Sequence, residues 1–187
     1  MLNATHETIG VASALAATAA LSSDPATCAI AAAAALYAAQ LPDVDQLGSP
    51  VHRRSRVERR YLAALAVGTI LRLPMIVVAL ATRHRGATHW LLTGAVVTAA
   101  LTALTTALSP TLAPPIGLGV ALGYTTHLLA DACTPHGAPL LGPFSARRRH
   151  LLPGRARIRT GSAVELAVLA LVGAGAVALA VMIVSRS

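Results

Sequence analysis

Apolar residues in this chain run in long continuous stretches and do not alternate with polar ones. Five stretches cover residues 8–23, 26–41, 90–108, 112–132 and 163–184. A helix needs about 20 apolar residues to cross a bilayer, so each stretch predicts a spanning helix, the shorter ones with extended ends. Short turns join the first stretch to the second and the third to the fourth. The pattern therefore predicts two helix pairs and a final single helix.

A sixth apolar stretch, residues 61–82, is interrupted near its centre by Arg72 and Pro74. Proline breaks the hydrogen-bond ladder of a helix, and an arginine at mid-bilayer is costly. Each half has about ten residues, or roughly 15 Å of helix, which is too short to cross alone. The sequence therefore predicts an interfacial or re-entrant hairpin at 61–82 that returns to the side from which it started.

The composition agrees with a membrane protein. Of 187 residues, 55% are hydrophobic and 12% are charged, whereas a water-soluble domain carries about 25% charged residues. Alanine, glycine and threonine take the place of aromatic residues, which suits close helix packing in a bilayer. We interpret residues 1–187 as a single domain, an all-α integral membrane helical bundle with about five spanning helices.

The net charge of +8 arises from arginine alone, since the chain contains no lysine. Most arginines lie beside apolar stretches, at residues 53–60, 83–85 and 147–159. This placement indicates topology signals and attraction to anionic lipid headgroups, and it argues against nucleic acid as a partner. If 61–82 returns to its side, these clusters share one face with the polar motifs below. We expect a multi-pass protein of the inner (cytoplasmic) membrane whose site faces the cytoplasm.

The strongest chemical signal is the pair His127 and Asp131 in the apolar stretch 112–132. Residues four apart lie on the same helix face, so the imidazole and the carboxylate are neighbours. Ionisable groups in such a segment are costly to bury and by default mark a functional site. The carboxylate can be a partner of the histidine or a second metal ligand. The alternative is a polar couple that only holds two helices together.

Other candidate ligands stand at the ends of the apolar stretches. LPDVD places Asp43 and Asp45 on the same side of an extended segment, and HRGATH offers His84 and His89. Carboxylates bind or bridge divalent cations, and a free one acts as a base toward water. The alternatives are a solvated turn for the aspartates and an interfacial cluster for the histidines. His6 precedes the first stretch, where a helix-capping or an interfacial role is its simplest explanation.

Two further polar residues and two cysteines complete the candidates. His136 follows the His127–Asp131 pair and is a possible extra ligand or substrate contact. Glu165 lies in the first turn of the last stretch, where the helix dipole stabilises a carboxylate without any further role. Cys28 and Cys133 form no CxxC motif, so we interpret them as small buried apolar residues and not as a disulfide or thiolate site.

Five motifs in chain order carry a family resemblance: TH at 5–6, LPDVD at 41–45, HRGATHWLL at 84–92, LGYTTHLLADACTPHGAPLLGPF at 122–144 and RTGSAVE at 159–165. Together they resemble the YdjM-type family of inner-membrane, metal-dependent hydrolases. The resemblance implies metal roles for His6, Asp43 or Asp45, His84, His89, His127 and Asp131. That family is in turn distantly similar to zinc-dependent phospholipase C, which implies that Glu165 and His136 assist a further metal.

From the residues and the resemblance we predict a metal-dependent hydrolase at the cytoplasmic membrane surface. It would cleave a phosphoester in a lipid or lipid-linked substrate with a metal-activated water, using one to three divalent ions, zinc or manganese. Asp43 and Asp45 are the predicted catalytic carboxylates. Arg147, Arg148 and Arg155 are predicted to hold the anionic headgroup, since guanidinium groups match phosphate oxygens. The sequence carries no signal from which an oligomeric state is predicted.

Two other functions fit the same residues. A metal-ion or proton transporter would use the histidines and aspartates as a transit site, but it should carry polar residues through the depth of the bundle. Here the polar set gathers at one end, which favours an enzyme. A non-catalytic membrane protein would use the metal only to staple helices together, and removing the metal would then reduce stability without removing any turnover.

Overall fold

The computed structural model describes residues 1–45 and 86–186. Within these ranges the chain forms five α-helices and no β-strand: α1 Asn3–Leu21, α2 Pro25–Ala38, α3 Leu91–Leu108, α4 Ala113–Ala132 and α5 Ala163–Ser185. Short 3₁₀ turns cover Pro42–Asp45, Ala87–His89 and Gly154–Ala156. The prediction of an all-α protein is confirmed. The predicted hairpin at 61–82 lies outside the described residues.

The helices follow the predicted apolar stretches closely, with one instructive difference at the start of α1. The helix begins at Asn3, ahead of the apolar stretch, and includes the polar residues Thr5 and His6. Both side chains are buried, with relative exposures of 0% and 2%. Hydropathy alone places these residues outside the bundle, whereas packing against the other helices holds them inside it.

Three segments of the described chain are long and apolar enough to cross a membrane: Pro25–Val44, Leu91–Leu108 and Ala163–Ser185. Helices α1 and α4 are not among them. These two helices carry buried ionisable side chains, including His6, His127 and Asp131, which lower their hydropathy. The predicted count of about five spans therefore stays a prediction, with three spans supported by length and composition.

Helix α4 forms the centre of the bundle and packs against α1, α2 and α3. Its contact with α2 is close because Gly119 and Gly123 lie directly against the backbone of Ala31 and Ala35, with no space for a Cβ atom. Small residues at such positions let helices approach where apolar burial alone provides little driving force. Helix α5 packs along α1 and is otherwise largely exposed to the surroundings of the bundle.

The start of α5 is joined to the start of the chain by Glu165. This carboxylate is fully buried and accepts hydrogen bonds from the backbone N–H groups of Leu2 and Gly161, both at 2.6 Å. Ser162 caps the same helix by accepting a hydrogen bond from the Glu165 backbone N–H at 3.3 Å. Glu165 thus links α5 to the residue that precedes α1.

One end of the bundle collects the segments that the sequence analysis singled out. The start of α1, the turn after α2, the turn before α3 and the last turns of α4 meet there, as the contacts of Asp131 with His6 and His89 demonstrate. In the sequence, residues 46–85, which lie outside the described ranges, come between the turn after α2 and the turn before α3. The core beside this end is formed by Tyr124, Leu128, Ala132, Ala138 and Leu140.

Candidate metal centre

Five nitrogen and oxygen ligand candidates converge at this end of the bundle. Their donor atoms form two groups, His6 with His127 and Asp131, and Asp43 with His89 and His127, and within each group all donor atoms lie within 4.8 Å of one another. Four of the five residues are buried, and Asp43 keeps 16% of its side chain exposed. The helix bundle therefore brings together residues separated by up to two thirds of the chain.

The distances between these donor atoms suit ligands that share an ion. His6 Nε2 lies 3.5 Å from Asp131 Oδ1, and His89 Nε2 lies 3.6 Å from Asp131 Oδ2. Asp43 Oδ1 lies 3.7 Å from His89 Nε2 and 3.9 Å from His127 Nε2. These separations are long for hydrogen bonds, whereas two ligands on a tetrahedral zinc ion are roughly 3.4 Å apart at the usual bond lengths.

The tautomer of the neutral His127 ring follows from its hydrogen bond to the residue that follows α2. Its Nδ1 atom lies 2.7 Å from the carbonyl oxygen of Ala39, and because a carbonyl can only accept, Nδ1 is the donor. In the neutral ring Nε2 then carries the lone pair and is directed toward Asp43. This Nε2 atom is buried and has no hydrogen-bond partner among the described residues. A buried acceptor fixed in this way is the arrangement expected of a histidine metal ligand.

His89 is held by a short chain of hydrogen bonds that begins on α4. The hydroxyl of Tyr124 donates to the backbone carbonyl of Thr88, and the hydroxyl of Thr88 lies 3.1 Å from His89 Nδ1. The ring of Tyr124 lies against Gly94 in α3 and is 2% exposed. Tyr124 therefore fixes the 3₁₀ turn that carries His89, with its Nε2 atom facing Asp43 and Asp131.

Asp131 belongs to the first group and also faces His89 of the second group. One carboxylate oxygen faces His6 and the other faces His89, and the Met1 amino group lies 3.5 Å from the oxygen that faces His6. The rings of His6 and His127 are stacked, with centroids 3.9 Å apart. A carboxylate with its oxygens divided in this way can bind one ion or bridge two.

The donor set fits a divalent cation with nitrogen and oxygen preference. It consists of imidazoles and carboxylates, which suit zinc and manganese. Both cysteines, Cys28 and Cys133, are free thiols and belong to neither group. Since Nε2 of His127 has a single lone pair, it serves one ion, and the two groups that share it overlap. The structure thus contains a possible site for a divalent metal ion, formed by imidazoles and carboxylates.

The remaining predicted site residues that the structure describes are not brought into these groups. His84 lies outside the described residues, as does the side chain of Asp45. His136 is exposed in the loop after α4, and Glu165 binds the backbone of Leu2 and Gly161 instead. The arginines predicted to hold a headgroup, Arg147, Arg148 and Arg155, are exposed in that same loop.

Sequence reasoning missed two residues that hold the centre together. Tyr124 and Thr88 position His89, and neither residue type suggests a metal site on its own. A signal was nevertheless present, because Tyr124 lies three residues before His127 and seven before Asp131 on α4. That spacing places all three side chains on the inner face of the helix.

Comparison with known proteins identifies the family of the chain. Searches of curated proteins and of solved structures give no match. The family described as YdjM inner membrane protein matches residues 1–186, which is nearly the whole chain. The apolar helices of the bundle agree with that description, and the chain therefore belongs to the YdjM inner membrane protein family.

Proposed function

We propose that this protein is a membrane-bound, metal-dependent hydrolase that cleaves a phosphoester in a lipid or lipid-linked substrate. The observation that carries the proposal is the convergence of three imidazoles and two carboxylates at one end of an apolar bundle, where the buried His127 Nε2 has no hydrogen-bond partner among the described residues. A zinc or manganese ion bound there would polarise a phosphoryl oxygen and lower the pKa of a water molecule.

The residues of the chain have separable tasks in this proposal. His6, His89, His127 and Asp131 are buried and would hold the ion. Asp43 is the most exposed member of the set, with 16% of its side chain accessible, so it is the carboxylate best placed to meet a substrate and to accept a proton from water. Asp45 remains a second predicted base, and His84 a further predicted ligand.

The surroundings of the centre favour an anionic substrate from the membrane. The loop that follows α4 begins two residues after Asp131 and carries Arg147, Arg148 and Arg155. Guanidinium groups bind phosphate oxygens through paired hydrogen bonds. We propose these arginines as contacts for the headgroup, with the site on the cytoplasmic face of the inner membrane as the arginine distribution predicts.

Metal content decides the first half of the proposal. Protein purified in detergent would be compared with His127→Ala, Asp131→Ala and the matched control His136→Ala by elemental mass spectrometry. We expect near-stoichiometric zinc or manganese in the wild type and in the control, because His136 lies outside both donor groups. The first two variants should lose nearly all of it. A folded wild type that binds no metal after resupply would remove the basis of the proposal.

Turnover decides the second half. Metal-loaded protein in vesicles would be supplied with phosphatidic acid, phosphatidylglycerol and a polyprenyl phosphate, and the release of phosphate, phosphorylated headgroup or diacylglycerol would be followed. Phosphoester cleavage that depends on the metal and is lost in His127→Ala supports the hydrolase. Full metal occupancy without turnover of any of these lipids would leave a metal-binding membrane protein and contradict the proposed reaction.

A further inference from the structure

The loop between α4 and α5, residues 133–162, is strongly and uniformly basic. It contains no aspartate or glutamate. Its six arginines are Arg147, Arg148, Arg149, Arg155, Arg157 and Arg159. A run of positive charges beside apolar helices attracts negatively charged groups, either within the protein or outside it.

The protein itself does not supply that negative charge in the part of the chain that the structure describes. All of these arginines except the half-buried Arg157 are exposed. Their side-chain hydrogen bonds run from Arg148 to the His136 carbonyl at 3.4 Å and from Arg157 to the Leu152 carbonyl at 3.3 Å. Within the described ranges, residues 1–45 and 86–186, none of these arginines forms an ion pair.

Part of the loop has a built conformation that carries three of these arginines, Arg147, Arg148 and Arg149. Ala138 and Arg149 exchange backbone hydrogen bonds at 3.1 and 2.8 Å, which closes residues 138–149 into a hairpin-like turn. The backbone N–H of Leu91 donates a hydrogen bond to the carbonyl oxygen of Leu140 at 3.0 Å. The indole of Trp90 lies against Gly142. The turn is therefore anchored to the start of α3.

The tip of this turn is apolar. Phe144, the single phenylalanine of the chain, has 88% of its surface exposed, and Leu141 is 46% exposed. Leu151, which follows the turn, is 53% exposed. An exposed aromatic residue beside arginines is typical of segments at the membrane interface, where the ring enters the lipid and the charges meet the headgroups.

The position of the loop brings it to a membrane surface. It leads directly into α5, Ala163–Ser185, which is the most apolar of the candidate spans with a mean hydropathy of 2.7. We propose that residues 138–151 dock on the anionic surface of the membrane, with Phe144 inserted among the lipids and the neighbouring arginines on lipid phosphates. This inference concerns the bulk lipid surface and holds whether or not the protein is a hydrolase.

The test places a fluorescent reporter at the tip. Phe144→Trp protein would be incorporated into nanodiscs of phosphatidylcholine, with or without phosphatidylglycerol, using lipids with brominated acyl chains as quenchers. Wild-type protein, whose single tryptophan is Trp90, gives the background to subtract. Unchanged helix content by circular dichroism and unchanged metal content would establish that the substitution at this exposed position leaves the fold intact.

We expect the added tryptophan to emit at shorter wavelength and to be quenched by the brominated chains when phosphatidylglycerol is present. Replacing Arg147, Arg148 and Arg149 by glutamine in the same protein should reduce the quenching to the level in phosphatidylcholine alone. A tryptophan that stays accessible to aqueous iodide and unquenched by lipid in both membranes would overturn the proposal. So would protection that appears only when RNA is added, because the basic surface would then serve a soluble polyanion.

Discussion

At the scale of single residues, the candidate metal centre depends on groups that orient the imidazole rings without belonging to the donor groups. The Ala39 carbonyl fixes the proton of His127 on Nδ1, and Tyr124 holds the carbonyl of Thr88, whose hydroxyl meets His89. Partners of this kind orient the ligand rings and tune their basicity. The geometry of the centre is thus set on the inner faces of α2 and α4.

Tyr124→Phe tests this dependence with the removal of one oxygen atom. We expect metal affinity to fall by about tenfold, because the turn that carries His89 loses its attachment to α4. Competition with a chromogenic chelator measures the affinity. Tyr37→Phe is the matched control, since Tyr37 is 63% exposed and belongs to neither donor group. Equal affinity in both variants would show that the Tyr124 hydrogen bond does not support the centre.

Much of the site was predictable from residue types and their spacing, and the rest depends on packing. The i to i+4 spacing of His127 and Asp131 within an apolar helix identifies the pair directly. Asp43 and His89 are recognisable from their motifs at helix ends. The stacking of His6 on His127 and the attachment of Glu165 to Leu2 carry no such signal, because backbone donors and ring stacking leave no pattern in the sequence.

At the scale of helices, the contact between α2 and α4 determines how closely the ligands approach. Gly119 and Gly123 bring the two helices together, and the Ala39 carbonyl reaches His127 across the same contact. The predicted stretches located these helices to within a few residues because continuous apolar runs are the strongest signal in a membrane protein. The central position of α4 was not part of the prediction, because apolar stretches locate helices without specifying which of them pack against one another.

Gly123→Ala tests the close approach of these helices. A methyl group at this position meets the backbone of Ala35, and we expect the bundle to lose about 1–3 kcal/mol in its free energy of unfolding. Gly175→Ala in α5 is the matched control, because nothing lies within 4 Å of a Cβ atom there. Unfolding in detergent, followed by circular dichroism, provides the comparison. Two variants of equal stability would contradict the close contact.

At the scale of the whole molecule, the bundle is tied together from one end of the chain to the other. Glu165 in α5 binds the backbone of Leu2, which precedes the helix that carries His6. Helix α5 is the most apolar of the candidate spans and packs along α1. The most membrane-like helix is thereby connected to a ligand of the candidate centre through Leu2 and the first turns of α1.

Glu165→Gln separates two roles for this residue. If Glu165 links α5 to Leu2, the loss of a charged acceptor should lower the free energy of unfolding by about 1–3 kcal/mol while the metal is retained. If Glu165 ligates a further metal, as the family resemblance implies, metal content should fall in a protein of nearly unchanged stability. Elemental analysis and thermal unfolding on the same preparation distinguish the two results.

The link between Leu2 and Glu165 also has a consequence for the order of biosynthesis. The two residues are 163 positions apart, so a ribosome that adds 5–20 residues per second needs roughly 8–33 s to make the second after the first. For most of this interval His6 has been synthesised while its ligand partners on α4 have not, and Glu165 on α5 is added only at its end. Early chains must therefore keep a polar first turn near the membrane surface, and a ribosome that pauses before α4 would leave the centre unassembled.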